Sequence, residues 1–252
     1  MTQSFVPDQY QPRPDLLAGK HILVTGAGGG IGRCAAEAYA AHGATVILLG
    51  RTVAKLEAAY DAIEAAGGPR PAIFPLDLAT ADEQQCQALA AALEENFGHL
   101  DGVLHNASVL GERRPIESAT YKAWQEVMQV NVNGQFVLTR YLLPLLQQAP
   151  SASIILTSSG VGRTGKAFWG AYAVSKFATE GFMQVLADEL ENTSKVRVNS
   201  LNPGATNTAM RRAAYPAESP SANPTPDAIM PAYLYLMGED SAELNGEALN
   251  AQ

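Results

Sequence analysis

Short, continuously apolar runs alternate along this chain with segments of helical periodicity, and that alternation leaves few folds open. The runs are "HILVTG", "ATVILLG", "PAIFPLDL", "LDGVLHNAS", "ASIILTSS" and "KVRVNSLNPG", with a possible last one at "GEALNA". Between them, helical patterns span Ile31 to His42, Val53 to Ala66, Ala81 to Phe97, Tyr121 to Gln148, about Ala171 to Asn192, and Asp227 to Met237. Pro144 predicts a bend or break in the fourth of these. Strands with no polar face are buried on both sides, as in a parallel sheet covered by helices. Right-handed crossovers then give an α/β, Rossmann-like, doubly wound sheet in a single domain over residues 19–252. Residues 1–18, polar and carrying Pro7, Pro12 and Pro14, are expected to form an irregular arm.

The chain has 252 residues, enough for one large α/β domain, and 47% of them are hydrophobic. A net charge of −8 argues against a general nucleic-acid binder. No apolar run approaches the roughly 20 residues of a membrane span. The first residues lack the basic start and apolar stretch of a secretory signal. Cys34 and Cys86 suit neither a disulfide framework nor a zinc site, so no metal is expected and a cytoplasmic protein is.

Sheets of this kind bind ligands at the carboxyl ends of their strands. The first such end reads "VTGAGGGIGR", with Gly26, Gly30, Ile31 and Gly32 at the turn into the first helix. Glycines let the backbone approach a ligand, and the following helix offers free N–H groups to a pyrophosphate. The second strand ends in Gly50 and Arg51 rather than in an acidic residue. A guanidinium there grips a ribose 2′-phosphate, so NADP(H) is favoured over NAD(H). The alternative is a solvated arginine. Arg33 is a second candidate for the same contact. Asp77 and Leu78, in "PLDL", sit where an adenine is met, though Asp77 equally suits a helix cap.

In "WGAYAVSK", Tyr172 and Lys176 are four residues apart and share one face of a helix. A nearby ammonium stabilises a phenolate, so the spacing fits a tyrosine that exchanges protons with substrate. It also fits a buried tyrosine beside a solvated lysine.

The ordered motifs "TGAGGGIG", "HNAS", "NVNG", "LTSSG", "YAVSK" and "NPGATNT" resemble the short-chain dehydrogenase/reductase family from about Leu17 to the C-terminus. The closing "IMPAYLYLMGEDS" and "NAQ" further resemble its YciK-type bacterial oxidoreductases. The resemblance implies that Tyr172 and Lys176 are the catalytic pair and Ser159 and Asn131 their catalytic partners. It also implies that Asn106, Pro203, Gly204, Thr206 and Thr208 contact the cofactor. Ser108 stands where the family has glycine, and the C-terminus lacks the family's paired glycines. The implied activity is NADP(H)-dependent hydride transfer between nicotinamide and a small carbonyl or alcohol substrate. Tyr172 is then the general acid and base, and Lys176 also binds the ribose. Asn131 is expected to anchor a proton-carrying water. An NADP(H)-binding sensor or structural protein is the alternative. A homodimer or homotetramer is expected, with the helices Trp124–Leu146 and Tyr172–Leu190 paired across a twofold axis. The proline-rich segment 208–226 is expected to be a lid. Met210 and Tyr215 would give it apolar cover, facing Phe168, Trp169 or Leu110 on the other rim.

Overall fold

The computed structural model describes residues 4, 5, 7 and 10–252. Its strands are β1 (Ser4–Phe5), β2 (His21–Thr25), β3 (Thr45–Gly50), β4 (Ala72–Pro75), β5 (Gly102–His105), β6 (Ala152–Thr157), β7 (Val196–Asn202) and β8 (Ala248–Asn250). All pair in parallel, in the order β1-β8-β7-β6-β5-β2-β3-β4. The chain runs from β2 outward to β4, then returns to place β5 on the other side of β2. The carboxyl ends of β2 and β5 therefore flank the topological switch point.

Both faces of the sheet are buried, as the continuous apolar runs require. Within β2, Ile22 and Val24 face one core while Leu23 faces the other. Within β6, Ile155 faces the first core, and Ile154 and Leu156 the second. The first core contains residues of α1 (Gly30–Ala41), α2 (Val53–Ala65) and α8 (Met230–Met237). The second contains residues of α3 (Glu83–Phe97), α5 (Gly134–Gln148) and α6 (Gly170–Glu191). Each aliphatic side chain sealed this way contributes about 1.5–3 kcal/mol.

Two features differ from the sequence expectation. The long helix does not break at Pro144, which lies inside α5. Instead α4 (Tyr121–Met128) passes into α5 through a π-helical stretch at Gln129–Asn133. Such stretches are frequent at functional sites, and Asn131 lies within this one. The arm expected over residues 1–18 is also not wholly irregular. Ser4–Phe5 pairs with β8, and Leu16 and Leu17 are fully buried in the first core. The rest of that expectation, at residues 1–3, 6, 8 and 9, lies outside the described residues.

Candidate active site

Thr25, the last residue of β2, ties the two sides of the switch point together. Its hydroxyl accepts the backbone N–H groups of Asn106 and Ala107, both at 3.0 Å, and donates to the Leu104 carbonyl. Gly26 then turns the chain at φ +71°, a conformation that favours glycine. Gly32 lies so close to this turn that a Cβ there would collide with the Gly26 carbonyl oxygen. Helix α1 begins at Gly30 after Gly29, which offers no side-chain cap, and its first turn holds no acidic residue. Its N-terminal N–H groups are left for an anion. These features fit a dinucleotide pyrophosphate on structural grounds alone.

Two cavities meet here. The larger, of about 350 Å³, runs from Gly30 and Ile31 past Asn106 to Ser159, Tyr172 and Lys176. It continues to Pro203, Gly204, Thr206 and Thr208. The smaller, of about 160 Å³, is lined by Gly50, Arg51, Asp77 and Leu78. Both are bordered by Gly26, Ala107 and Ser108, so together they form one trough across the switch point. Every residue expected to bind the cofactor lines this trough except Gly32, which supports the turn from behind. The Ser108 hydroxyl is buried and lacks a protein partner, so it suits a ligand polar group. Arg51 is exposed at the mouth of the smaller cavity, whereas Arg33 pairs with Glu37 at 2.7 Å. Asp77 is not the cap of α3: Asp82 fills that place with a capping box. Asp77 instead accepts the N–H of Ala79 at 3.0 Å.

At the catalytic end, α6 carries Tyr172 and Lys176 one turn apart, with the Lys176 Nζ 5.6 Å from the phenol ring centre. Both side chains are buried. Lys176 donates to the Thr157 carbonyl at 2.8 Å. Burial pushes the Tyr172 phenol up to about 12, while its hydrogen bond with Ser159 pulls the other way. The expected lowering by Lys176 is therefore absent here. Desolvation of the phenolate sets the direction, and the lysine is itself stripped of water. Burial brings Lys176 down to about 8, with the Glu180 charge opposing.

Asn131 is fully buried in the π-helical stretch. Its Oδ1 accepts the Val109 N–H at 2.8 Å, and its Nδ2 donates to the Val109 carbonyl and the Ser175 hydroxyl, both at 3.0 Å. Its amide hydrogens are thus committed to protein partners.

Thr208 caps the short helix α7 (Ala209–Ala214) and lies opposite Gly30, closing the trough. Leu110, Trp169, Met210, Arg211 and Ala214 line the adjoining space, which is largely apolar. Phe168 instead points outward at φ +70°, and Tyr215 packs behind Trp169. Sequence reasoning missed Thr25, Ser175 and Arg113. The Arg113 guanidinium packs against both the Trp169 ring, at 4.5 Å, and the Tyr215 ring, at 4.8 Å. Thr25 and Ser175 lie inside the motifs "TGAGGGIG" and "YAVSK" and Arg113 in none, but the roles of all three depend on partners far away in sequence.

Known proteins resemble this chain in sequence and fold. Residues 20–219 match the family model for short chain dehydrogenases. The oxidoreductase YciK of Escherichia coli (strain K12) is 54% identical over 243 residues, covering 96% of each chain. A short chain dehydrogenase of Shigella flexneri, crystallised with NADP, is 52% identical with a TM-score of 0.93, over 95% of this chain and all of that one. One from Escherichia coli CFT073, crystallised with NADPH, is 53% identical with a TM-score of 0.93, over 96% of this chain and all of that one.

Proposed function

The chain belongs to the short-chain dehydrogenase family of oxidoreductases, and from that premise we propose that it is an NADP(H)-dependent enzyme acting on a carbonyl/alcohol pair. The observation that carries this reading is the meeting of Ser159, Tyr172 and Lys176 in the cavity that continues the dinucleotide trough. The NADP and NADPH complexes of the two similar structures support the choice of cofactor. When bound, the nicotinamide supplies the hydride. The protein's residues do the rest.

In the reductive direction the Ser159 hydroxyl holds the substrate carbonyl oxygen beside the Tyr172 phenol. Tyr172 rests protonated at neutral pH, the state a general acid needs, and gives its proton to that oxygen. Lys176 stabilises the phenolate left behind, and two of its three donors are available for the ribose hydroxyls. Asn131 fixes the loop after β5 against α6, and the proposed water relay would start beside it. Leu110, Trp169, Met210 and Ala214 supply an apolar wall that excludes water from the reacting atoms. Arg51 lines the smaller cavity, and its guanidinium would grip the 2′-phosphate that separates NADP from NAD.

A sensor would bind the dinucleotide without turnover. The decisive experiment is a screen of aldehydes, ketones and alcohols against NADPH and NADP, followed by absorbance of the reduced cofactor. On any substrate found, Tyr172→Phe is expected to remove at least about a hundredfold of the rate with little change in cofactor affinity. Near-wild-type turnover by this variant would dismiss Tyr172 as the acid. A protein that binds NADPH tightly but turns over no member of the screen would favour the sensor.

A further inference from the structure

Behind the catalytic residues lies a buried charged group that the reaction as described does not use. Helix α6 carries Tyr172, Lys176 and Glu180 at successive turns of one face. Glu180 is 4% exposed. Its Oε1 accepts the Ser158 hydroxyl at 2.5 Å and the Arg163 Nε–H at 2.9 Å. Its Oε2 accepts the Ser200 hydroxyl at 2.6 Å. Arg163 is anchored in turn, donating to Asn250 Oδ1 and the Leu249 carbonyl, both at 2.9 Å. A buried carboxylate is costly unless paired and hydrogen-bonded, and this one is both.

Ser158 sits between Thr157, whose carbonyl receives the Lys176 ammonium, and Ser159, which hydrogen-bonds Tyr172. Lys176 is 1% exposed, a setting that disfavours its charged form. A neutral lysine could not stabilise the Tyr172 phenolate. A carboxylate one turn away restores the balance in favour of the ammonium. A free carboxylate at that position would also draw the flexible lysine down the helix into a direct ion pair, out of reach of the pocket. Three donors already occupy Glu180, which removes that competition.

We infer that Glu180 is a positioning residue that keeps Lys176 charged from one helical turn away, while Ser158, Arg163 and Ser200 saturate its carboxylate so that it does not capture the ammonium. The inference rests on the proposed role of Lys176 but concerns a property of the folded chain itself. The charged and titratable groups facing Lys176 are Tyr172 and Glu180 on α6, with Arg163 after β6 beyond Glu180. From α8 the Tyr233 hydroxyl reaches Thr157, at 3.5 Å. Among the carboxylates of the described residues, Glu180 is the one that acts on Lys176.

The test reads the lysine directly and needs no substrate. The chain has six lysines, so ¹³C-lysine NMR of the whole protein resolves each titration, and Lys176→Arg assigns the signal. In Glu180→Gln, which keeps the shape, the Lys176 midpoint is expected to fall by about one unit or more. In Arg163→Gln, which removes the opposing charge, it is expected to rise. A merely structural network would move neither midpoint, or both the same way, and either result overturns the inference. If Glu180→Gln does not fold, Arg163→Gln alone decides: a rise supports the role, and no change or a fall rejects it. Absence of turnover in the substrate screen would count against the proposed enzyme and leave this result intact.

Discussion

The Asn131 amide donates to the Ser175 hydroxyl at 3.0 Å, and Ser175 donates to the Tyr172 carbonyl at 2.7 Å. With the two bonds between Asn131 and the Val109 backbone, this chain joins the loop after β5 to the first turns of α6. Asn131→Ala removes the partners of the partly buried Val109 N–H and carbonyl, a penalty of up to about 1–3 kcal/mol for each group left unsatisfied. The variant is expected to unfold at lower denaturant with an unchanged m-value, and to lose turnover by misplacing Tyr172. Wild-type stability by urea titration would contradict this account.

The difference between what the sequence disclosed and what it did not follows from the range of the interactions. The glycine-rich turn and the Tyr172–Lys176 pair depend on spacing within one turn, so their placement was legible. The identities of Ser159 and Asn131 came from ordered motifs that resemble a family, not from local physics. The π-helical stretch was not legible. Its partners, Val109 and Ser175, lie 22 and 44 residues away, and Pro144 gave a misleading signal for the break. The rise in the Tyr172 pKa was missed for a related reason. The i, i+4 spacing shows the lysine, but burial emerges only when α6, the β6 end and the rim at Trp169 come together.

Arg51 is expected to set the cofactor preference. It lines the smaller cavity at the end of β3, where a ribose 2′-phosphate would lie. Arg51→Asp replaces a phosphate partner with a repulsive charge, so NADP(H) should weaken and NAD(H) gain relative to it. Titration of cofactor fluorescence gives both dissociation constants. Equal wild-type affinities for the two cofactors would defeat the assignment.

His105 ends β5 fully buried, and burial lowers its pKa from 6.5 to about 4. Its Nε2 lies 2.9 Å from the Thr139 hydroxyl. Between about pH 6.5 and 4 the unfolded chain binds a proton that the folded chain refuses. Stability from this site is therefore full above 6.5 and lost as pH falls toward 4. The total is on the order of 3 kcal/mol. Thermal melts from pH 7 to 4 should show this decline, and His105→Gln, whatever its stability at pH 7, should show a shallower one. Parallel curves for the two proteins would remove His105 as the cause.

We predict a homo-oligomer, a dimer or tetramer, assembled through α5 and α6. Phe136, on α5, is 51% exposed, and Phe177 and Val185, on α6, are 46% and 58% exposed. Phe136 meets Phe182 edge-on at 6.4 Å, so the apolar surface is continuous between the two helices. A second copy related by a twofold axis would cover it with the same surface. Light scattering at micromolar concentration should report more than one subunit, and Phe177→Glu should reduce the assembly. A wild-type monomer would end this proposal.

The segment from Thr208 to Pro226 is held over the pocket by cations set against aromatic rings. Arg113, from the opposite rim, donates through Nη1 to the Ala214 carbonyl and packs against both Trp169 and Tyr215. Arg211 covers Tyr215 at 4.0 Å and is itself fixed by two 2.6 Å bonds to Glu218. The segment therefore carries its own internal brace, and Arg113 is its tie to the rest of the site. Each cation–ring contact is worth about 0.5–2 kcal/mol, which suits a latch that opens without unfolding the domain. In Arg113→Ala, hydrogen exchange over residues 209–222 is expected to quicken about tenfold or more while exchange in β5 and β6 is unchanged. That factor corresponds to roughly 1.4 kcal/mol, within the range of the lost contacts. NADPH is expected to slow exchange over the same residues in the wild type, since Thr208 lies across the trough from Gly30. Equal protection with and without NADPH, together with unchanged exchange in Arg113→Ala, would show that the segment is a fixed connection and not a lid.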